Sequence, residues 1–335
     1  MKIIIPMAGR GSRLRPHTLT IPKPLIPVAG KPIVQRIVED FNNSFPGQIE
    51  EVAFVVGDFG TAVEEQLAAI AEGVGAKHSI YYQDEPLGPA HAIYCAKDSL
   101  DGNCIVAFAD TLFKADFAFD QEEEGYVWVQ KVENPASFGV VKLDDSGYIT
   151  DFVEKPPVFV SDLAIVGIYY FKDGAYFRDQ IQYLIDNEIR DKGEFQITSV
   201  LEIMKEKGTQ FRAADIEEWL DCGNKANVIA TNQRILELKN GNEQLIATNI
   251  ELENSIIIQP CYIGNDVRLV NSVIGPYVSI GSNSILENCV IRNSIVQHDS
   301  HIHNAVLDES MIGSQAVYKG RLEEVSIGDY TVINK

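Results

Sequence analysis

The chain has 335 residues, 45% of them hydrophobic, and a formal net charge of −20. That length and apolar content suit two domains with ordinary cores. The acidic excess argues against nucleic-acid backbones and anionic membrane surfaces as partners, because most of the protein surface would repel them. Near the start only Ile3 to Ile5 are consecutively apolar, and no apolar run approaches a membrane span, so a cytoplasmic protein is expected. Five cysteines, at 95, 104, 222, 261 and 289, form no Cys-x-x-Cys pair and read as small core residues.

From Met1 to about Arg234, short apolar runs alternate with helical patterns, the signature of an α/β layer fold with a mostly parallel central sheet. Ile3 to Ile5 forms the first strand and feeds a glycine-rich turn. Gly9 and Gly11 lack the Cβ atoms that would hold phosphate oxygens away from backbone N–H groups, with Ala8 and Ser12 in the same turn. Arg13, Arg15 and Lys23 add positive charge, and from Met1 to Val38 there are seven Lys or Arg residues and no acid. Neither the Walker loop nor the dinucleotide fingerprint fits, because Leu14 stands where the latter has its third glycine. Prolines 16, 22, 24 and 27 are expected to exclude a helix and to hold Lys23 on a stiff extended segment. The plain alternative is a proline-rich surface loop with solvated cations.

Pro32 opens a helix whose residues Ile33, Val34, Ile37, Val38 and Phe41 share one face. Strands follow at Val52 to Val56, Ile80 to Gln83 and Ile105 to Phe108, with helical patterns at 61–71 and 89–100. Gln83 carries an amide able to read a pyrimidine edge, and Gly88 would let a base lie against the backbone; together they would otherwise form a turn. Asp110 ends its strand where a divalent cation could meet phosphates, and Asp221 in Trp-Leu-Asp-Cys-Gly could supply a second oxygen ligand. Each could equally cap a helix or turn. Glu154 and Lys155 offer a sugar-hydroxyl acceptor beside an ammonium, or simply an exposed ion pair. Gly139 and the Val166-Gly167 pair mark close approach of a ligand, or a bulge. His17, His78 and His91 lack metal-ligand spacing and receive no role.

A helix at 224–239 is expected to leave this domain and a polar linker to follow. The expected boundaries are 1–239, a linker over 240–250, and a second domain over 251–335. There Ile263-Gly264, Ile274-Gly275, Ile280-Gly281, Ile312-Gly313 and Ile327-Gly328 each open a six-residue repeat, which predicts a parallel β-helix of four or five coils.

Taken together these segments resemble the sugar-1-phosphate nucleotidyltransferases, most closely the glucose-1-phosphate thymidylyltransferase group and its long forms with a C-terminal left-handed β-helix. The resemblance rests on Met7 to Val28, Gln83 to Ala92, Ala109-Asp110, Phe152 to Pro156, Gly193-Glu194 and Trp219 to Gly223. It implies a Rossmann-like domain in which a sugar 1-phosphate, such as glucose 1-phosphate, attacks the α-phosphate of a nucleoside triphosphate such as dTTP or UTP. Arg13 would neutralise the departing pyrophosphate, Lys23 the reacting phosphates, and Lys155 would orient the nucleophile. Ala8, Gly9, Gly11, Ser12, Gln83 and Gly88 would bind nucleotide. Gly139, Glu154, Val166 and Glu194 would bind sugar, and Asp110 with Asp221 would hold Mg²⁺. Ala8, Ser12, Ala109 and Thr111 depart from the family pattern, which leaves guanylyl transfer to mannose 1-phosphate open. A bifunctional acetyltransferase using His298, His301 or His303 is the alternative reading of the repeat domain. A structural or self-associating role, giving a homo-oligomer, is the expected one.

Overall fold

The computed structural model describes residues 1–9, 11–114, 117, 119–321 and 324–332. It contains two compact units, Met1–Ile26 with Lys31–Asn227, and Pro27–Gly30 with Val228–Lys335. The helix Lys225–Lys239 thus belongs almost wholly to the second unit, whereas the sequence suggested that the first domain runs to 239.

The first unit is built on a nine-stranded sheet. Its strands are β1 (Lys2–Pro6), β2 (Glu51–Val56), β3 (Lys77–Tyr82), β4 (Cys104–Ala107) and, after a separate strand β5 (Thr111–Lys114), β6 (Gly125–Lys131), β7 (Gly139–Leu143), β8 (Ile149–Glu154), β9 (Leu163–Phe171) and β10 (Phe211–Asp215). β4, β1, β2 and β3 lie side by side and parallel. Ile3, Ile4 and Ile5 are fully buried, as a strand covered on both faces requires. β9 then runs antiparallel to β4, β6 and β7, so the sheet is mixed beyond β4. The helix α1 (Ile33–Ser44) buries the face read from the sequence, Ile33, Val34, Ile37, Val38 and Phe41. Further helices cover the sheet: α2 (Thr61–Gly73), α3 (Pro89–Cys95), α4 (Gly174–Asp186) and α5 (Ile197–Glu206).

β1 pairs with β4 in parallel, Lys2 opposite Cys104 and Ile4 opposite Val106, so the chain leaves both strands at the same sheet edge. This delivers the glycine turn and Asp110 to one place, at the carboxyl ends of adjacent strands. A two-stranded ribbon adds the last component. β5 pairs antiparallel with β11 (Glu218–Asp221), and Asp221 stands opposite Thr111.

The second unit contains a parallel β-helix. Glu251 pairs with Arg268, Arg268 with Ile285, Ile285 with His301 and His301 with Val317, so the coils repeat every 17, 17, 16 and 16 residues. Three equal six-residue steps would need 18, so the expected strict hexad is corrected: strands sharing a coil start at unequal spacings. The last expected repeat, Ile327-Gly328, falls after the final strand Val317–Lys319, and Ile327 is 52% exposed. The interior is a column of Ile, Val and Leu with Cys261 and Cys289, confirming those cysteines as small core residues.

An asparagine ladder closes one corner. Asn254, Asn271, Asn288 and Asn304 occupy equivalent positions with φ of 48°, 48°, 54° and 54°. The Nδ2 of each of the first three donates to the Oδ1 of the next, at 3.3, 3.3 and 3.0 Å. Asparagine tolerates the left-handed region and supplies both donor and acceptor. Asn271→Ala should therefore lower stability by about 1–2 kcal/mol, from two lost amide bonds and a strained φ. Asn271→Gly should recover part of that loss. Equal losses for both variants in urea denaturation would show that backbone strain plays no part.

Candidate active site

The turn after β1 closes onto Lys23. Gly11 has φ of 56°, and a Cβ there would lie 3.0 Å from Lys23 Cβ and 3.1 Å from Thr18 Cγ2. Thr18 Oγ1 donates to Gly11 O at 2.7 Å and ties the loop shut. Lys23 is not on an extended segment: it opens a 3₁₀ turn, Lys23–Leu25, capped by Pro22. The prolines permit this because the first turn of a helix has no use for the missing N–H. Lys23 is buried, and its Nζ lies 3.4 Å from Asp110 Oδ2.

Asp221 comes to the same place through the ribbon. Cys222 N donates to Asp110 O at 3.1 Å, so the two acidic segments are bonded backbone to backbone. Asp221 Oδ1 accepts from Gly223 N at 2.8 Å, and Asp221 Oδ2 accepts from Asn227 Nδ2. Asp221 therefore does cap its own turn, and a Cβ on Gly223 would sit 3.0 Å from both carboxylate oxygens.

A cleft of about 390 Å³ opens above these elements. Ala8, Gly9, Gly11, Ser12 and Arg13 line it, together with Lys23 and Asp110. Gln83, Gly88 and Glu194 line it as well. Gly88 has φ of 117°, and a Cβ there would meet Phe195 N and O at 2.7 Å. Gln83 Nε2 donates to Gly88 O at 3.1 Å and lies 3.2 Å from His91 Nδ1. His91 was given no role from the sequence; its signal was its place on the first turn of α3, three residues after Gly88. Burial lowers the His91 pKa; Glu85 opposes this, and Arg190 adds a smaller lowering. A neutral His91 accepting at Nδ1 consumes the second N–H of the amide, and only the Gln83 oxygen is left for a ligand.

Gly139, Glu154, Lys155, Val166 and Asp221 are not among the residues lining that cleft. The first three form an adjoining cluster. Glu154 Oε2 accepts from Thr198 Oγ1 at 3.2 Å, and Glu154 Oε1 lies 3.2 Å from Lys155 Nζ. A Cβ on Gly139 would be 3.1 Å from Glu154 Oε2. Lys192, absent from the sequence reading, donates from Nζ to the carbonyl oxygens of Glu154 and Lys155 at 3.3 and 3.0 Å. Val166 is buried, and the register of β9 shifts between Ile165 and Tyr169, so the Val166-Gly167 pair is a bulge. Its function is visible: Gly167 O accepts from Phe108 N at 3.0 Å beside the acidic strand.

Three aromatics lie between this cluster and the carboxylate segments. Burial pushes the Tyr169 hydroxyl pKa well up, and the charges of Glu154 and Asp110 add to that rise. Phe138 packs on Trp219 with centroids 4.9 Å apart, and Trp219 Nε1 donates to Thr111 Oγ1.

Among the described residues no group of three or more His, Cys, Asp or Glu side chains surrounds a common metal position. Two carboxylates joined by phosphate and water suit Mg²⁺, which takes few protein ligands. In the second unit His298 Nδ1 lies 2.6 Å from Asp299 Oδ2 and His303 Nδ1 2.8 Å from Glu287 Oε2, while His301 is exposed.

The profile of the family described as Nucleotidyl transferase matches residues 2–237. The chain belongs to that family. This nucleotidyl transferase is 32% identical over 340 residues to the low-salt glycan biosynthesis nucleotidyltransferase Agl11 of Haloferax volcanii, covering 94% of this chain and 93% of that protein. It is 29% identical to a glucose-1-phosphate thymidylyltransferase of Streptomyces griseus, covering 93% and 92%. Other relatives bear the names mannose-1-phosphate guanylyltransferase catalytic subunit beta and bifunctional protein GlmU. In fold it is similar to a UDP-glucose pyrophosphorylase solved with UDP-glucose, with a TM-score of 0.59 and 24% identity, over 71% of this chain and 98% of that one.

The depressed His91 pKa sets a pH dependence for this nucleotidyl transferase. The unfolded chain takes up the imidazole proton near the ordinary value of 6.5, while the folded chain resists it. Folded protein then binds fewer protons, and stability falls as the pH drops below about 6.5. His91→Phe should lose less stability between pH 7 and 5 than the unsubstituted protein, as read by thermal melting. An identical pH dependence in both would remove His91 as a cause.

Proposed function

We propose that the chain condenses a sugar 1-phosphate with a nucleoside triphosphate to give a nucleotide sugar and pyrophosphate, using glucose 1-phosphate and dTTP or UTP. The observation that carries this is the meeting of Lys23 and Asp110 in a cleft lined by the glycine turn, with Asp221 bonded alongside. Arg13 lines the same cleft, which supports a role for it at the β- and γ-phosphates.

An oxygen of the sugar phosphate attacks the α-phosphorus in line, and the bond from that phosphorus to the bridging oxygen of the β-phosphate breaks. The nucleophile is already an anion, so no general base is needed, and positioning with charge stabilisation suffices. Lys23 holds charge on the α-phosphate, and Arg13 stabilises the departing pyrophosphate. Lys155 orients the incoming phosphate, while Glu154 and Glu194 accept from sugar hydroxyls. Asp110 and Asp221 would hold Mg²⁺, which when bound neutralises phosphate charge. Lys23 Nζ, 3.4 Å from Asp110 Oδ2, would be held by that carboxylate and aimed at the phosphates.

The amide of Gln83 supports the choice of base. With both N–H groups engaged by Gly88 and His91, its oxygen is an acceptor, which matches the ring N–H of thymine, uracil or guanine. Cytosine and adenine present a ring acceptor at the equivalent edge and leave that oxygen unpaired, a cost of about 1–3 kcal/mol.

The test is pyrophosphate release with Mg²⁺ and glucose 1-phosphate, scanning dTTP, UTP, GTP, CTP and ATP. Release is expected with dTTP or UTP and at least tenfold less with CTP and ATP; no release with any of the five, using glucose or mannose 1-phosphate, would refute the reading. Asp110→Asn should reduce kcat by about 10²–10³-fold or more, on the scale of losing one transition-state stabilising group. Retention of wild-type kcat in that variant would remove Asp110 from the chemistry.

A further inference from the structure

One column of the β-helix departs from its own repeat. Ile263 pairs with Ile280, Ile280 with Val296 and Val296 with Ile312. The residues that follow are Gly264, Gly281, Gln297 and Gly313, so glutamine replaces glycine in one coil. The glycines answer a steric demand: a Cβ at Gly264 would lie 2.7 Å from Ser282 N, and one at Gly281 would lie 2.5 Å from His298 N. Gln297 meets no such need and extends a long polar side chain instead.

That side chain is 4% exposed, and its amide is only half satisfied. Oε1 accepts from Ser314 Oγ at 2.9 Å, while Nε2 is buried with no partner. A second buried amide nearby is in the same condition. Asn232 is fully buried, its Oδ1 accepts from Ala29 N at 2.8 Å and from Ser279 Oγ at 2.7 Å, and its Nδ2 has no partner. Orphaned buried donors are uncommon and destabilising, so each calls for a reason.

Gln297 lies on the wall of a cavity of about 210 Å³ within the second unit, and Ser279, the partner of Asn232, lies on the same wall. Pro27, Ile295 and the ring of Tyr262 supply apolar surface. The ring is closely seated, since a Cβ on Gly30 would fall 2.1 Å from Tyr262 Cε2. His298, also on the lining, is exposed, and its Nδ1 lies 2.6 Å from Asp299 Oδ2. No lysine or arginine is among the described lining residues, and a phosphate or carboxylate would find no counter-ion. The space is that of about seven waters at ~30 Å³ each, the size of one substituted ring system rather than a whole nucleotide.

We propose that the β-helix unit has a small-molecule site of its own, which takes a neutral planar ring bearing a carbonyl acceptor, the Gln297 amide turning from its enclosed position so that Nε2 donates to it. Flat apolar walls with one or two placed polar groups are the usual makeup of such a site. It is separate from the catalytic cleft and shares no lining residue with it.

The probes are nicotinamide and benzamide, which lack the pyrimidine edge that Gln83 would read, with inorganic phosphate as the charged control, followed by saturation-transfer NMR and thermal melting. Saturable binding of at least one ring probe is expected, with a rise in Tm, and none for phosphate at this site. Gln297→Leu should weaken ring binding at least fivefold, and Gln297→Gly, which restores the repeat residue, should do the same if the leucine variant folds poorly. Gln83→Leu, in the catalytic cleft, should leave it unchanged. Without ligand, Gln297→Leu should melt no lower than the unsubstituted protein, because an unpaired donor has been removed. Absence of saturable ring binding would assign the cavity to water and overturn the proposal. Binding that survives loss of Gln297 but not of Gln83 would place the probe in the catalytic cleft and overturn it also. A fall of several degrees in the leucine variant, with no ligand shift in the parent protein, would make Gln297 a structural partner of Ser314 alone.

Discussion

The first unit is organised around a buried cation and the acid that faces it. Lys23 is nearly inaccessible, and a buried ammonium is costly unless it is paired. Its partner Asp110 stands in the turn that follows β4, and that strand is parallel to β1, from whose end the Lys23 loop departs. Exchange either for an apolar residue and this part of the cleft loses its reason to be polar. Such a pair contributes little to net stability. It does place opposite charges side by side among the residues that line the cleft.

Several small residues exist because this spot is crowded. Gly11 allows Lys23 and Thr18 to approach, Gly88 allows the backbone of Phe195 to approach, and Gly223 makes room for the Asp221 carboxylate. The same physics recurs in the second unit with different chemistry. There the glycines make room for the next coil, and asparagines occupy the left-handed corners because their amides can bond to one another along the stack.

The cleft and its neighbouring cluster are joined by large aromatics rather than by shared polar contacts. Trp219 leans on Phe138 and donates to Thr111, while Tyr169 lies within the fields of both Glu154 and Asp110. Rigid packing of this kind fixes two polar clusters relative to one another without a bond between them.

Much of this was legible in the chain itself. The period of apolar residues identified β1, β2, β4, α1 and the β-helix, because burial on one or both faces imposes its spacing on any sequence. The sequence also singled out the glycine turn, Gln83, Gly88 and Asp110, which the fold brings to one cleft, and Asp221, which it bonds beside Asp110 through Cys222. Other features depended on the tertiary structure. That Asp221 sits beside Asp110 follows from antiparallel pairing of two strands far apart in the chain, and no local preference encodes that register. The roles of His91, Thr198 and Lys192 as partners were hidden because each bonds to a residue distant in sequence or carried on another element. The coil length of 16 or 17 residues was likewise invisible to a six-residue count, since the corners of the β-helix take up unequal numbers of residues and only the strand register reveals them.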